Sequence, residues 1–197
     1  MSASLVALWK EPAVRTELVE LLGVFDDRSE ALARPLGLAP HIPLSVHSRY
    51  TRDEVLTALG EGSPEHPLQL REGVRWVEEE AVDLLFVTLN KSENDYSPTT
   101  MYRNDAVAPD LFHWESQSTT RETSPTGRRY VGHASAGSSV LLFVRDRAKS
   151  PTGATSPYWC LGLATHLDHK GSVRWRSIES CAAMPEALFE AARAVAA

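Results

Sequence analysis

The stretch GVRWVEEEAVDLLFVTLN, residues 73–90, decides how this chain folds. Val74, Trp76 and Val77 are β-formers, three glutamates interrupt them, and an apolar run resumes at Val82 and continues through Leu89. The spacing predicts two strands, at about 73–78 and 83–89. SSVLLFVRDR, residues 138–147, repeats the theme with a still cleaner run. A strand apolar on successive residues is buried on both faces.

Around these two runs the chain reads as mostly β. LFHWESQS, residues 111–118, alternates, with Phe112, Trp114 and Ser116 on one face and His113, Glu115 and Gln117 on the other. SPTGRRYV, residues 124–131, reads as a glycine turn leading into a strand. KSPTGATSP at 149–157 is a surface loop, and YWCLGLATHLDH and SVRWRSI are two further strands. MPEALFEAARAVAA closes the chain as a helix, with Pro185 near its first turn.

Upstream, the pattern is helical. Leu5, Leu8, Trp9, Leu18, Leu21, Leu22 and Phe25 recur at three- and four-residue steps, with a break and restart at Pro12. Residues 33–48 form an extended proline-rich connector. Thr51 and Glu54 have capping-box spacing ahead of Val55, Leu56 and Leu59, and Gly60 and Gly62 end that helix. The fold class expected is α+β: N-terminal helices, a mainly antiparallel, barrel-like twisted sheet, and a closing C-terminal helix. Residues 1–62 read as a helical N-terminal region and 63–197 as a β-rich reader domain, with one compact unit as the alternative.

Composition narrows the function. The 197 residues are 43% apolar and 23% charged, ordinary for a soluble domain. No apolar run reaches membrane-spanning length, and the start lacks a secretory pattern. Cys160 and Cys181 are too few for a disulfide framework. A cytoplasmic protein is expected, nucleoid-associated when bound to DNA. The net charge of −6 argues at first against a nucleic-acid partner, but acid is unevenly spread. Residues 1–95 carry 9 basic against 17 acidic side chains, while residues 96–150 carry 7 against 5.

Enzymatic signatures are weak. His166-x-x-His169, near Cys160 and Asp168, matches no common zinc spacing, and no metal or cofactor is expected. There is no G-x-S-x-G and no phosphate-binding glycine loop. His113 and Glu115 share a strand face, as pairs on solvated strands often do. No catalytic residues are assigned.

Binding chemistry is richer. LNKSENDYSPTTMYRNDAV, residues 89–107, follows the DLLFV strand and is crowded with hydroxyls, rings and cations. Nucleic-acid recognition needs cations for phosphates, flat side chains for bases, and polar groups for base edges. Tyr96, Met101, Tyr102 and Trp114 are candidates for an apolar cage, and core packing is the competing role of Trp114. Lys91, Arg103, Arg128 and Arg129 are candidates for phosphates, with surface solvation the competing role of the last two. Asp105, Glu115 and Gln117 suit base edges, and Ser97, Thr99, Thr100, Ser116 and Ser118 suit a backbone. Arg49-Tyr50 adds a further cation–aromatic unit.

SVHSRYTRDEVLTALG, REGVRWVEEEAVDLLFVTLNKSENDYSPTTMYRNDAVAPDLFHWESQSTT, SPTGRRY and SSVLLFVRDR together resemble an uncharacterised C-terminal domain family. Its members follow DEAD/DEAH-type helicase motors, often with a phospholipase-D-like nuclease at the other end, in proteins similar to modification-dependent restriction enzymes. Stand-alone actinobacterial members resemble 5-methylcytosine-binding proteins. LWKEPAVRTELVELL looks like the linker between motor and reader. The chain has no Walker motif and no nuclease H-x-K, so the resemblance implies the reader alone. The expected function is recognition of 5-methylcytosine, or another modified base, in double-stranded DNA, without catalysis. The alternative is a coupling module that docks a helicase or nuclease through residues 1–62.

Overall fold

The computed structural model describes residues 9–30, 34–63, 65–66, 68–70, 73–90, 104–116, 120–150, 152–170 and 176–194. The chain forms two compact units, Met1–Arg34 and Pro35–Ala197. The first contains helix α1, Pro12–Glu30, with proline at its first turn as the sequence indicates. Its leucines stay exposed: Leu18 at 37%, Leu21 at 48% and Leu22 at 60%.

The second unit is an α+β domain. Besides the two-residue strand Ser45–Val46, its elements are β1 (Arg49–Tyr50), α2 (Arg52–Ala58), β2 (Val74–Val77), β3 (Val82–Asn90), β4 (Asp105–Ala108), β5 (Leu111–Glu115), α3 (Pro125–Ala136), β6 (Ser139–Arg147), β7 (Tyr158–Lys170), β8 (Arg176–Ser180) and α4 (Glu186–Ala194). The connector and α2 thus lie in this unit. The reason is burial: Val55, Leu56 and Leu59 of the α2 region pack with Leu36, Ile42 and Leu44 of the connector in one core. The capping box forms as read, with the Thr51 side chain accepting from the backbone N–H of Glu54 and the Glu54 carboxylate accepting from that of Thr51.

The sheet runs β2-β3-β6-β7-β8-β5-β4, and β1 adds to β7. It is mostly antiparallel and open, with β2 and β4 at its ends, and does not close into the expected barrel. Its centre is a parallel pair: Leu84, Leu85, Phe86 and Val87 of β3 stand opposite Leu141, Leu142, Phe143 and Val144 of β6. Alternate residues feed two cores. Leu85, Val87, Leu89, Val140, Leu142 and Val144 join Phe112, Trp114, Tyr130 and Leu188 on one face. Leu84, Phe86, Leu141 and Phe143 join Val55, Leu56 and Tyr158 on the other. Both faces are covered, as a doubly apolar strand requires.

β7 holds the two halves of the sheet together. Its N-terminal part pairs with β6 and β1, and its C-terminal part pairs with β8. The register with β6 slips near Gly162, whose φ is +76°. A Cβ there would lie 2.9 Å from Val46 Cγ2, so both conformation and space call for glycine.

Residues 124–131 are not a turn and strand but the start of α3. Ser124 caps it by accepting from Gly127 N–H, Pro125 occupies the first turn, and Gly137 ends it in the left-handed region at φ +71°. α3 is tied to the sheet by a buried ion pair. Arg129 Nε and Nη2 donate to the two Asp83 carboxylate oxygens at 2.6 and 2.9 Å, and the guanidinium lies 4.2 Å from the centre of the Trp76 ring. Burial pushes the Asp83 carboxyl above its ordinary value of 3.8, against the pull of Arg129; hydrogen bonding to Asp83 raises Arg129 in turn. Among the described residues no helix is long and apolar enough to cross a membrane.

Arg129→Ala leaves the 1%-exposed carboxylate without its partner and is expected to cost about 3–5 kcal/mol in urea denaturation at neutral pH. Without Arg129, nothing from that residue offsets the upward effect of burial, so the folded variant favours protonated Asp83. Its deficit against the parent chain is therefore smallest in acid, where both folded chains hold the carboxyl protonated, and grows as pH rises above the parent's raised value, where only the parent has lost the proton. A deficit constant between about pH 4 and pH 8 contradicts this assignment.

Candidate nucleic-acid interface

The parallel pair brings the carboxyl ends of β3 and β6 together, with Asn90 opposite Arg147. β7 runs the other way and begins at the same end, with Trp159 opposite Val144. β1 then places Arg49 opposite Trp159 and Tyr50 opposite Tyr158. One end of the sheet therefore collects arginines and aromatic rings from β1, β6 and β7, joined by Arg52 at the start of α2.

Two of these arginines build the scaffold. Arg145 is 9% exposed; its Nε donates to Thr88 Oγ1 at 2.9 Å, its Nη1 donates to the Ser156 carbonyl at 3.0 Å, and its guanidinium lies 4.2 Å from the Tyr158 ring centre. Arg52 donates to the Leu70 carbonyl and to the Tyr158 hydroxyl, and lies 5.2 Å from the Phe86 ring centre. Both charges are taken up by rings and backbone dipoles. Tyr50 is also structural, its hydroxyl accepting from Ser45 N–H at 2.9 Å.

Three cations face water instead. Arg49 is exposed and lies 5.2 Å from the centre of the partly buried Trp159 ring. Arg147 is 71% exposed, 3.5 Å from Asp146, and the exposed Lys149 donates to Thr155 Oγ1 at 3.2 Å. Asp146 also accepts from the Asn90 amide. Asp53 and Glu54 open α2 nearby in the chain, with Glu54 engaged in the capping box. An exposed guanidinium over a half-buried indole offers a cation and a flat surface together, the pair that a phosphate and a base require.

Several expected site residues fall elsewhere. Trp114 is 5% exposed and meets Tyr130 edge-to-face at 5.1 Å and 89°, inside the core. Ser116 is fully buried. The alternation of β5 dictates both, because the face that buries Phe112 buries residues 114 and 116 too. Arg129 is occupied by Asp83, so it forms no phosphate clamp with the exposed Arg128. Asp83 is the second residue of β3 and Asn90 the last, which separates that ion pair from the Arg49–Arg147 end by about 23 Å of strand. Asp105 and Glu115 lie on the half-exposed face of β4 and β5; Asp105 Oδ2 is 3.1 Å from His113 Nδ1, and the Asn104 side chain accepts from Glu115 N–H. Lys91, Tyr96, Ser97, Thr99, Thr100, Met101, Tyr102, Arg103, Gln117 and Ser118 lie outside the described residues.

Trp159, Arg145 and Arg147 escape the sequence reading. Their signal is the junction of an apolar strand with R-x-R, followed after a glycine loop by Tyr-Trp. Only the strand order shows that these segments meet.

Trp114→Ala is expected to cost about 3–5 kcal/mol of stability, the cost of emptying a core site. Thermal or urea denaturation that detects less than about 1 kcal/mol would return Trp114 to the surface.

A search of curated proteins finds no match to the chain. The family described as a domain of unknown function, DUF3427, matches residues 44–180, which run from the connector through β8 and leave α1 and α4 outside. The chain belongs to the DUF3427 family.

Proposed function

We propose that the chain is a non-catalytic reader of 5-methylcytosine, or a related modified base, in double-stranded DNA. The observation that carries the reading is the exposed Arg49 guanidinium over Trp159, with the exposed Arg147 and Lys149 at the same end of the sheet, in a chain whose net charge is −6. From Asn90, at that same end, departs the tyrosine- and hydroxyl-rich segment 91–103. The resemblance to readers attached to restriction motors supports the same assignment.

In duplex DNA the 5-methyl group projects into the major groove, where thymine carries its own. Burying one methyl contributes about 0.8 kcal/mol, roughly fourfold in affinity. Tenfold preference needs about 1.4 kcal/mol, so discrimination demands a close apolar fit together with a polar contact to the cytosine amino group. Tyr96, Met101 and Tyr102 are the proposed cage, with Asp105 or Glu115 accepting from the amine. The exposed arginines hold phosphates and set affinity without setting sequence.

Matched methylated and unmethylated duplexes compared by mobility shift test the reading. Tenfold or greater preference for the methylated duplex is expected, and equal, negligible binding to both ends it. Replacing Arg147 and Lys149 by alanine should weaken both duplexes alike and flatten the salt dependence by up to about two phosphate contacts. An unchanged slope would make these cations ordinary solvated surface.

A second reading has its own observation. The exposed Leu18, Leu21 and Leu22 of α1 suit a docking helix for a helicase or nuclease encoded elsewhere. Retention of such a motor or nuclease by the chain without DNA, lost when Leu21 and Leu22 become serine, is the expected result; retention unaffected by the change would exclude α1 as the contact.

A further inference from the structure

We propose that His166 and His169 form a binding site for a divalent transition-metal ion of the zinc, cobalt and nickel class. On an unbroken strand, residues three apart point to opposite faces. Here the pairing slips: Asp168 stands opposite Ile178, but His166 stands opposite Glu179, so Leu167 is an extra residue in β7. This β-bulge puts His166 and His169 opposite Glu179 and Ser177, which are two residues apart in β8 where their partners are three apart in β7. The rings meet in consequence, with His166 Nε2 3.1 Å from His169 Nδ1 and ring centres 5.2 Å apart.

That separation suits an ion. With metal–nitrogen bonds of about 2.0–2.1 Å, two nitrogens on one tetrahedral ion stand about 3.3 Å apart. On a square or octahedral ion they stand about 2.9 Å apart. The observed distance lies between the two, so a shift of a few tenths of an ångström admits either geometry.

The surroundings fix the ligands. Glu122 Oε1 lies 3.2 Å from His169 Nε2, the nitrogen turned away from the pair. A carboxylate there keeps the ring proton on Nε2 and leaves the Nδ1 lone pair facing His166, as the outer partners of metal-bound histidines do. In the metal-free contact His166 Nε2 then carries the proton and donates it to His169 Nδ1. Metal binding by both facing nitrogens requires the other His166 tautomer, with its proton on Nδ1, a change that moves no net charge. Buried His133 of α3 supports the bulge by accepting from His166 N–H at 3.2 Å, and Asp168 accepts from His169 N–H at 2.8 Å.

Cys160 does not contribute: it lies in the core, where burial pushes its thiol up to about 11. Among the described residues no set of three or more histidine, cysteine, aspartate or glutamate ligands converges. Counting the described residues alone, two histidines leave coordination positions to water or a bound molecule, the pattern of an open, exchangeable site and not of a closed structural zinc site.

Titration of the full chain with Zn²⁺ by calorimetry, repeated with Co²⁺ by visible absorption, tests the site. One equivalent is expected to bind. His166→Gln and His169→Gln, which keep side-chain bulk, should each weaken binding at least tenfold, and Glu122→Gln by about tenfold or more. Cys181→Ser should leave binding unchanged. Absence of binding to the parent chain, or equal binding to the glutamine variants of either histidine with circular dichroism unaltered, overturns the proposal. If one histidine variant fails to fold, Glu122→Gln and the other decide it, and undiminished affinity in both likewise overturns it.

Discussion

Everything in the larger unit depends on the side-by-side parallel pairing of two strands that are apolar on both faces. Leu84–Val87 against Leu141–Val144 leaves no polar side for water, so the sheet must be covered twice. α2 and the proline-rich connector cover one face; α3, α4 and the β4–β5 ribbon contribute to the other. Parallel strands also cannot be joined by a tight turn. The chain between Asn90 and Ser139 makes the crossover, and it carries the polar segment 91–103, β4, β5 and α3 on the way. The parallel pair thus creates both the rigid floor and the carboxyl-end margin at which open sheets usually receive ligands.

Arginine serves two purposes in this architecture. Arg129 and Arg145 are builders, the first neutralising a buried carboxylate and the second joining β3, β6 and the loop before β7 across a tyrosine ring. Their planar, weakly hydrated heads tolerate such sites better than lysine does. Arg49 and Arg147 lie farther out at the same end as Arg145 and keep their charge in water. The count of basic groups therefore overstates the charge presented to a partner, while their placement concentrates what remains.

The elements most legible in the sequence are those set by local physics. The apolar runs of β3 and β6, the capping box at Thr51 and the alternation of β5 all follow from side-chain period and backbone hydrogen-bonding needs. α3 was open to the same reading, since Ser124-Pro125 begins it and Gly137 ends it, but Gly127 in its first turn resembles a hairpin signal. Strand order was not legible. The meeting of Arg49 with Trp159, the loss of Arg129 to Asp83 and the slip that unites His166 with His169 all arise between segments far apart in the chain or from register. A single sequence carries no direct record of either. Trp114 shows the boundary between the two cases: its strand face was correctly paired with Phe112, and that face proved to be the interior.

The proposed nucleic-acid surface lies at the carboxyl ends of β3 and β6. Amide chemical-shift mapping of the isotopically labelled chain, during addition of a methylated duplex, tests it most directly. Shifts clustered at Arg49-Tyr50, Asn90, Arg147–Lys149 and Tyr158-Trp159, continuous with residues 91–103, are the predicted result. Shifts confined to α1 or to the far end of β7, with the strand ends unmoved at saturation, would contradict it.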